Sequence, residues 1–182
     1  MKYIIVSLLS GTVKNYHQKL VEEISERFDA VFLANQKAPT HFTLKDIFEA
    51  DDISELDRIL EEFARNHKPA GISLEGYNRF DDNVIYMDIS FSEEARQLFT
   101  HFISRLKEIK WMQWGPYDNE NRIFHCSLAY FDIKDKYRDI CRFLLANHSY
   151  SFEAFFDNVA IYRQVGENWE LYKSYPMTYD TL

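Results

Sequence analysis

Thr40-His41-Phe42-Thr43-Leu44 and Phe124-His125-Cys126-Ser127-Leu128 repeat one pattern: a histidine, a spacer, a hydroxyl residue and then leucine. In an extended strand, residues i and i+2 point to the same face, so His41 would share a face with Thr43, and His125 with Ser127. An imidazole with a pKa near 6.5 can be neutral or charged at neutral pH, so a pair of them can take a proton on one side of a phosphorus and give one on the other. Two hydroxyls beside them can donate to the phosphoryl oxygens on which charge accumulates. Brought into one cleft, the four side chains would make a site for acid-base chemistry on a phosphate, and that chemistry calls for no metal.

Other residues are candidates for supporting roles. Lys45 continues the His41–Thr43 alternation and could add positive charge to the phosphate, whereas Arg122 reads as a surface residue. Tyr86, Trp114, Tyr117 and Tyr162 are candidates for a nucleobase platform, most other aromatics falling at core spacings. A metal site built from His41, His125 and Cys126 is disfavoured, because Cys126 alternates to the face opposite His125. The two cysteines show no ligand spacing, and Cys141 reads as a buried thiol on a helix.

The elements that must position these residues follow from hydrophobic periodicity. Residues 3–9 read as a central strand that ends at Ser10-Gly11. Thr12 can cap a helix buried through Val13, Tyr16, Leu20, Ile24 and Phe28. Residues 30–33 read as a short strand, and the loop 35–39 delivers the first histidine strand. Asp52 and Glu55 resemble a capping box for a helix buried through Ile53, Leu56, Ile59, Leu60 and Phe63. Strands at 72–77 and 84–90 flank an Asn/Asp-rich turn. Ser92 can cap a helix carrying Ala95, Phe99, Phe102, Leu106 and Ile109. A long loop, 111–121, leads into the second histidine strand at 123–131, after which Asp132 can cap a helix carrying Ile133, Ile140, Cys141, Leu144 and Leu145. Segments 150–156, 159–165 and 169–175 read as a terminal antiparallel sheet. Each half of the chain thus gives helix, histidine strand, helix and further strands, with no linker between halves.

The 182 residues are 46% hydrophobic and 16% aromatic, which is ample for a packed interior. A net charge of −8 argues against coating long nucleic acid, for which clustered Lys and Arg are needed. No apolar run approaches the ~18 residues of a membrane span. The start resembles a signal peptide only superficially, since its apolar run is short and lacks a small-x-small cleavage site, and a cytoplasmic monomer is expected.

The paired His41-x-Thr43 and His125-x-Ser127 motifs, about half a chain apart in a protein of this length, resemble the 2H phosphoesterase superfamily. That superfamily includes the bacterial RNA 2′,3′-cyclic phosphodiesterases, also described as 2′,5′ RNA ligases. The resemblance implies an α+β fold of two pseudosymmetric lobes, with antiparallel sheets lining a central cleft and helices outside. Residues 1–182 would form a single domain with interleaved lobes, each giving one motif to the cleft. It implies a hydrolase that needs no cofactor and acts on a cyclic phosphate or 2′,5′ linkage of a small nucleotide or RNA terminus, with His41, Thr43, His125 and Ser127 as its working residues. Two other readings use the same residues: a module that binds a nucleotide without turning it over, and an α+β scaffold in which the histidines are incidental.

Overall fold

The computed structural model describes residues 1–36 and 38–178. Strand β1 (Lys2–Leu8) lies inside a four-stranded sheet, because its run of Tyr3, Ile5 and Val6 is too apolar for an edge. It pairs antiparallel with β2 (His41–Glu49) on one side and β7 (Asn158–Val165) on the other, and β8 (Asn168–Pro176) closes that sheet in the order β2-β1-β7-β8. The second sheet, also antiparallel, takes β3 (Ala70–Phe80), β4 (Val84–Phe91), β5 (His125–Tyr130) and β6 (Ser151–Phe156) in the order β5-β4-β3-β6. The chain is an α+β fold of two antiparallel sheets with helices around them. The strands expected to form one terminal sheet are divided: β6 pairs with β3, whereas β7 and β8 join β1.

The long helices present the stripes read from sequence. α1 (Gly11–Phe28) buries Val13, His17, Leu20 and Ile24 and packs on β5. α3 (Ser54–Asn66) lies against β7 and β8, where Lys173 within β8 holds Asp57 at 2.8 Å. α4 (Glu93–Lys107) starts as expected, with the Ser92 hydroxyl accepting the Ala95 amide at 3.1 Å. Three starts differ from expectation. α1 begins at Gly11 after Ser10 without a side-chain cap, and at α3 the Asp52 carboxylate takes the Ser54 amide while Glu55 takes the Trp111 indole instead of closing a box.

The third difference is Asp132, which does not cap α5 (Tyr137–Asn147). Its carboxylate accepts the Phe32 amide at 2.9 Å, at the start of α2 (Phe32–Gln36). Residues 30–33, expected as a strand, therefore lead into a helical turn whose first amide is satisfied from a hundred residues away, as an exposed helix start requires. The apolar seam between the sheets is aromatic: Phe42 meets Phe91, Phe124 and Phe156 edge-on, and Phe91 stacks on Phe124 at 3.8 Å. Phe42 and Phe124 are the residues that flank the two motif histidines in sequence, so this packing draws the edge strands β2 and β5 together.

Candidate active site

Each motif histidine opens its strand, and each is anchored by the same local device. His41 Nδ1 lies 2.6 Å from the Pro39 carbonyl and His125 Nδ1 lies 3.1 Å from the Ile123 carbonyl, two residues back in both cases. Only an N–H can donate to a carbonyl, so Nδ1 carries the proton in both rings and Nε2 is the nitrogen left to react. Phe80 and Tyr86, each with its ring 4.9 Å from His125, wall that imidazole. Desolvation lowers the pKa of both histidines below 6.5, and for His125 the Arg122 and His41 charges act in the same direction. Both rings are therefore neutral at pH 7. The Thr43 and Ser127 hydroxyls are half-buried and make no hydrogen bond among the described residues.

Register places each hydroxyl with its histidine and then ends the alternation. On β2, Leu8 faces His41 and Val6 faces Thr43, but the next residue of β1, Ile5, faces Lys45, so Leu44 is an extra residue. On β5, Tyr86 faces Ser127 and the next residue of β4, Ile85, faces Ala129, so Leu128 is an extra residue too. These are β-bulges at the same place in both motifs, and each bulged leucine is buried in the core. The leucine shared by the two motifs thus has a physical role. It turns the strand immediately after the hydroxyl.

The bulge corrects the reading of Lys45. A one-residue slip moves every later side chain to the other face, so Lys45 sits with Ile5 and away from Thr43. It is fully buried, its ammonium 2.7 Å from Asp118, and near the rings of Phe48 and Trp114. Arg122 is not a surface residue either. Its side chain is 7% exposed, and its guanidinium is paired with Asp46 and 3.3 Å from Asp118. Asp118 also accepts the amides of Asp46 (2.9 Å) and Gly115 (2.8 Å). Burial pushes the Asp118 carboxyl up, but the Lys45 ammonium and the two amides outweigh it and hold the group below the usual carboxylate range. The network pins the loop before β5 onto β2 and leaves Lys45 no charge to offer a phosphate.

The aromatic candidates separate. Tyr86 lies opposite Ser127 and is 2% exposed, so it backs the His125 ring and is not an open platform. Trp114 lies beside Lys45, on the side of β2 away from Thr43, and Tyr117 is exposed on the loop. Tyr162 faces Ile4, two residues along β1 from Val6, and so shares the face of Thr43. The Leu128 bulge adds a residue that alternation alone misses: Tyr130 faces Val84 and so returns to the face of Ser127. Cys126 lies opposite Met87 in the core, with its thiol pushed up to about 12 by burial. Among the described residues no three His, Cys, Asp or Glu are grouped as metal ligands.

A third histidine lies between the motifs. His17 on α1 is 5% exposed; its Nε2 donates to the Ser127 carbonyl at 2.8 Å, so its Nδ1 accepts from the Thr40 hydroxyl at 3.0 Å. Burial lowers its pKa to about 4, the Ser127 carbonyl opposing and the nearby His41 reinforcing that shift. The unfolded chain, with a histidine pKa near 6.5, binds this proton more readily than the folded one. Stability from His17 is therefore complete above pH 6.5 and is lost as pH falls toward 4, by about 3 kcal/mol. Urea unfolding of wild type and His17→Gln at pH 7 and pH 4 should show the wild type losing that much more than the variant. Equal losses would refute the assignment.

The fold and sequence both have known counterparts. The sequence profile of the 2′-5′ RNA ligase superfamily matches residues 14–168. The chain is 26% identical over 187 residues to a protein of Oceanobacillus iheyensis named "Putative phosphoesterase OB1230", covering 99% of this chain and all of that one. Among solved structures it is similar to TT0787 of Thermus thermophilus (TM-score 0.63, 15% identity, 97% of this chain and 98% of that one). It is also similar to E. coli LigT complexed with 3′-AMP (TM-score 0.59, 13% identity, 98% of each chain). No helix among the described residues is long and apolar enough to cross a membrane. With a profile match over most of its length, two His-x-Thr/Ser motifs on adjoining strands and this two-sheet fold, the chain belongs to the 2′-5′ RNA ligase superfamily of 2H phosphoesterases.

Proposed function

We propose that this chain is a phosphoesterase that opens a cyclic phosphate, or cleaves a 2′,5′-type phosphodiester, on a nucleotide or RNA end. The observation that carries the reading is the matched pair of imidazoles, each locked through Nδ1 and each left with Nε2 to react, on edge strands that meet. In the reaction, one neutral Nε2 takes a proton from water as its oxygen bonds to phosphorus. The bond from phosphorus to one ribose oxygen breaks, and the other imidazole, entering as imidazolium, protonates that oxygen. The product is a phosphomonoester, and the two histidines exchange roles in the reverse direction. Thr43 and Ser127 donate to the non-bridging oxygens. Neutral imidazoles attract an anion weakly but leave Nε2 unprotonated and able to accept a proton, which favours turnover over a module that only binds. E. coli LigT complexed with 3′-AMP is a precedent, in a similar fold, for a small nucleotide as ligand.

The test is hydrolysis of nucleoside 2′,3′-cyclic monophosphates with EDTA present, with the released isomer identified. Turnover supports the reading; no turnover of any of the four, nor of a 2′,5′-linked dinucleotide, overturns it. The pH dependence is a second expectation. Lowered histidine pKa values place the free-protein pair below 6.5, so kcat/KM should peak on the acid side of pH 6.5. A bound phosphate anion raises both, so the kcat profile should lie at higher pH than that of kcat/KM. Coincident profiles, or a kcat/KM maximum in the alkaline range, would contradict the neutral-pair assignment.

A further inference from the structure

We propose that His17 is a positioning residue that fixes the spacing between the two motifs; the inference rests on the acid-base reading above. On α1, His17 occupies a core position in the series Val13, His17, Leu20, Ile24, where an apolar side chain would bury without a polar cost. The imidazole is tolerated there because both nitrogens are bonded, and both partners belong to the motifs. Thr40 directly precedes His41 and follows Pro39, whose carbonyl anchors the His41 ring. The Ser127 carbonyl belongs to the residue whose hydroxyl faces the site. One ring therefore ties the start of β2 to the middle of β5.

That tie matters because β2 and β5 belong to different sheets, with no ladder pairing between them. Their relative position rests on side chains: the Phe42–Phe124 contact, the Cys126 thiol against the His41 amide, the Asp118 and Arg122 bonds that pin the loop before β5 onto β2, and His17. Of these His17 bonds both motifs through a single ring, Thr40 on one side and the Ser127 carbonyl on the other, and a hydrogen bond weakens steeply with misalignment whereas an apolar contact slides. The neutral tautomer is set by its two partners: Nε2 must donate to a carbonyl and Nδ1 must accept from a hydroxyl. His17 touches neither substrate nor reacting atoms in this arrangement. It acts through the placement of the two histidines that do.

The experiment compares His17→Ala, Thr40→Val and the double variant in the cyclic-nucleotide assay. A misplacement near 1 Å costs about a hundredfold in rate. His17→Ala should therefore lower kcat by about 10–100-fold with KM changed by less than about threefold, and Thr40→Val should lower it in the same way to a smaller extent. The double variant should be no worse than His17→Ala, because Thr40 acts through the ring that is already gone. Thr40→Val removes one hydroxyl and keeps the fold testable where His17→Ala fails to fold. A second readout needs no turnover: the ring-nitrogen NMR signals of His41 and His125 should shift or broaden in Thr40→Val. Variants with kcat within twofold of wild type, a loss lying wholly in KM, or unmoved His41 and His125 signals would each overturn the positioning role. If wild type itself turns over no substrate, the proposed function falls, and the NMR comparison alone decides whether His17 holds the pair.

Discussion

His41→Ala and His125→Ala should each lower kcat on a 2′,3′-cyclic nucleotide by about 10²–10⁴-fold, the range of one positioned proton transfer. The loss should fall on kcat, because the Thr43 and Ser127 hydroxyls and the walls of the site remain to hold the nucleotide. Calorimetry with the product nucleotide should give dissociation constants within a few-fold of wild type. In the proposed mechanism both transfers belong to one transition state, so the double variant should fall well short of the product of the single effects. Neither ring is part of the apolar core; each makes its side-chain hydrogen bond to a carbonyl two residues back, and His125 also rests on Phe80 and Tyr86 at the rim of the site. Unfolding free energies should therefore stay within about 1 kcal/mol of wild type, so that lost activity cannot be assigned to lost fold. A pure binding module predicts the opposite pattern: weakened affinity on either substitution, and no kcat to lose. Loss confined to one histidine would also contradict the two-transfer mechanism.

What the sequence made legible, and what it hid, divides along physical lines. The motifs, the half-chain repeat and the long helices could be read because each repeats a period that burial imposes, as in Leu56, Ile59, Leu60 and Phe63 on α3. The bulges could not. One extra residue leaves the apolar content of a strand unchanged, and Leu44 and Leu128 read as ordinary alternation until their partners are known. Simple alternation misplaces Lys45 for that reason alone. His17 carries no hydroxyl two positions on and sits in a helical stripe, so nothing local distinguishes it from a core residue. Asp132 resembles a cap for the helix that follows it, yet it serves one a hundred residues earlier. Bonds of such separation leave no trace in spacing, and they are the ones that join the two sheets and fix the site.

The Asp118 network is the extreme case of this and carries the largest expected effect on stability. Asp118→Asn should destabilise the chain by about 3–5 kcal/mol, the cost of leaving one member of a buried ion pair uncompensated. At this chain length the melting temperature should fall by roughly 6–20 °C. The two partners are not equivalent. The Lys45 ammonium, wholly buried, has Asp118 at 2.7 Å and otherwise the Asp46 carbonyl at 3.2 Å. Asp118 keeps Arg122 and the amides of Asp46 and Gly115 when Lys45 is removed. Lys45→Met, which fills similar space without a charge, should therefore cost clearly less than Asp118→Asn. Thermal and urea unfolding of the two variants at neutral pH measures the difference. A Lys45→Met loss as large as that of Asp118→Asn would mean the lysine contributes more than a charge to be neutralised. It would reopen a role in the site for the one motif-strand cation that the Leu44 bulge turns away from it.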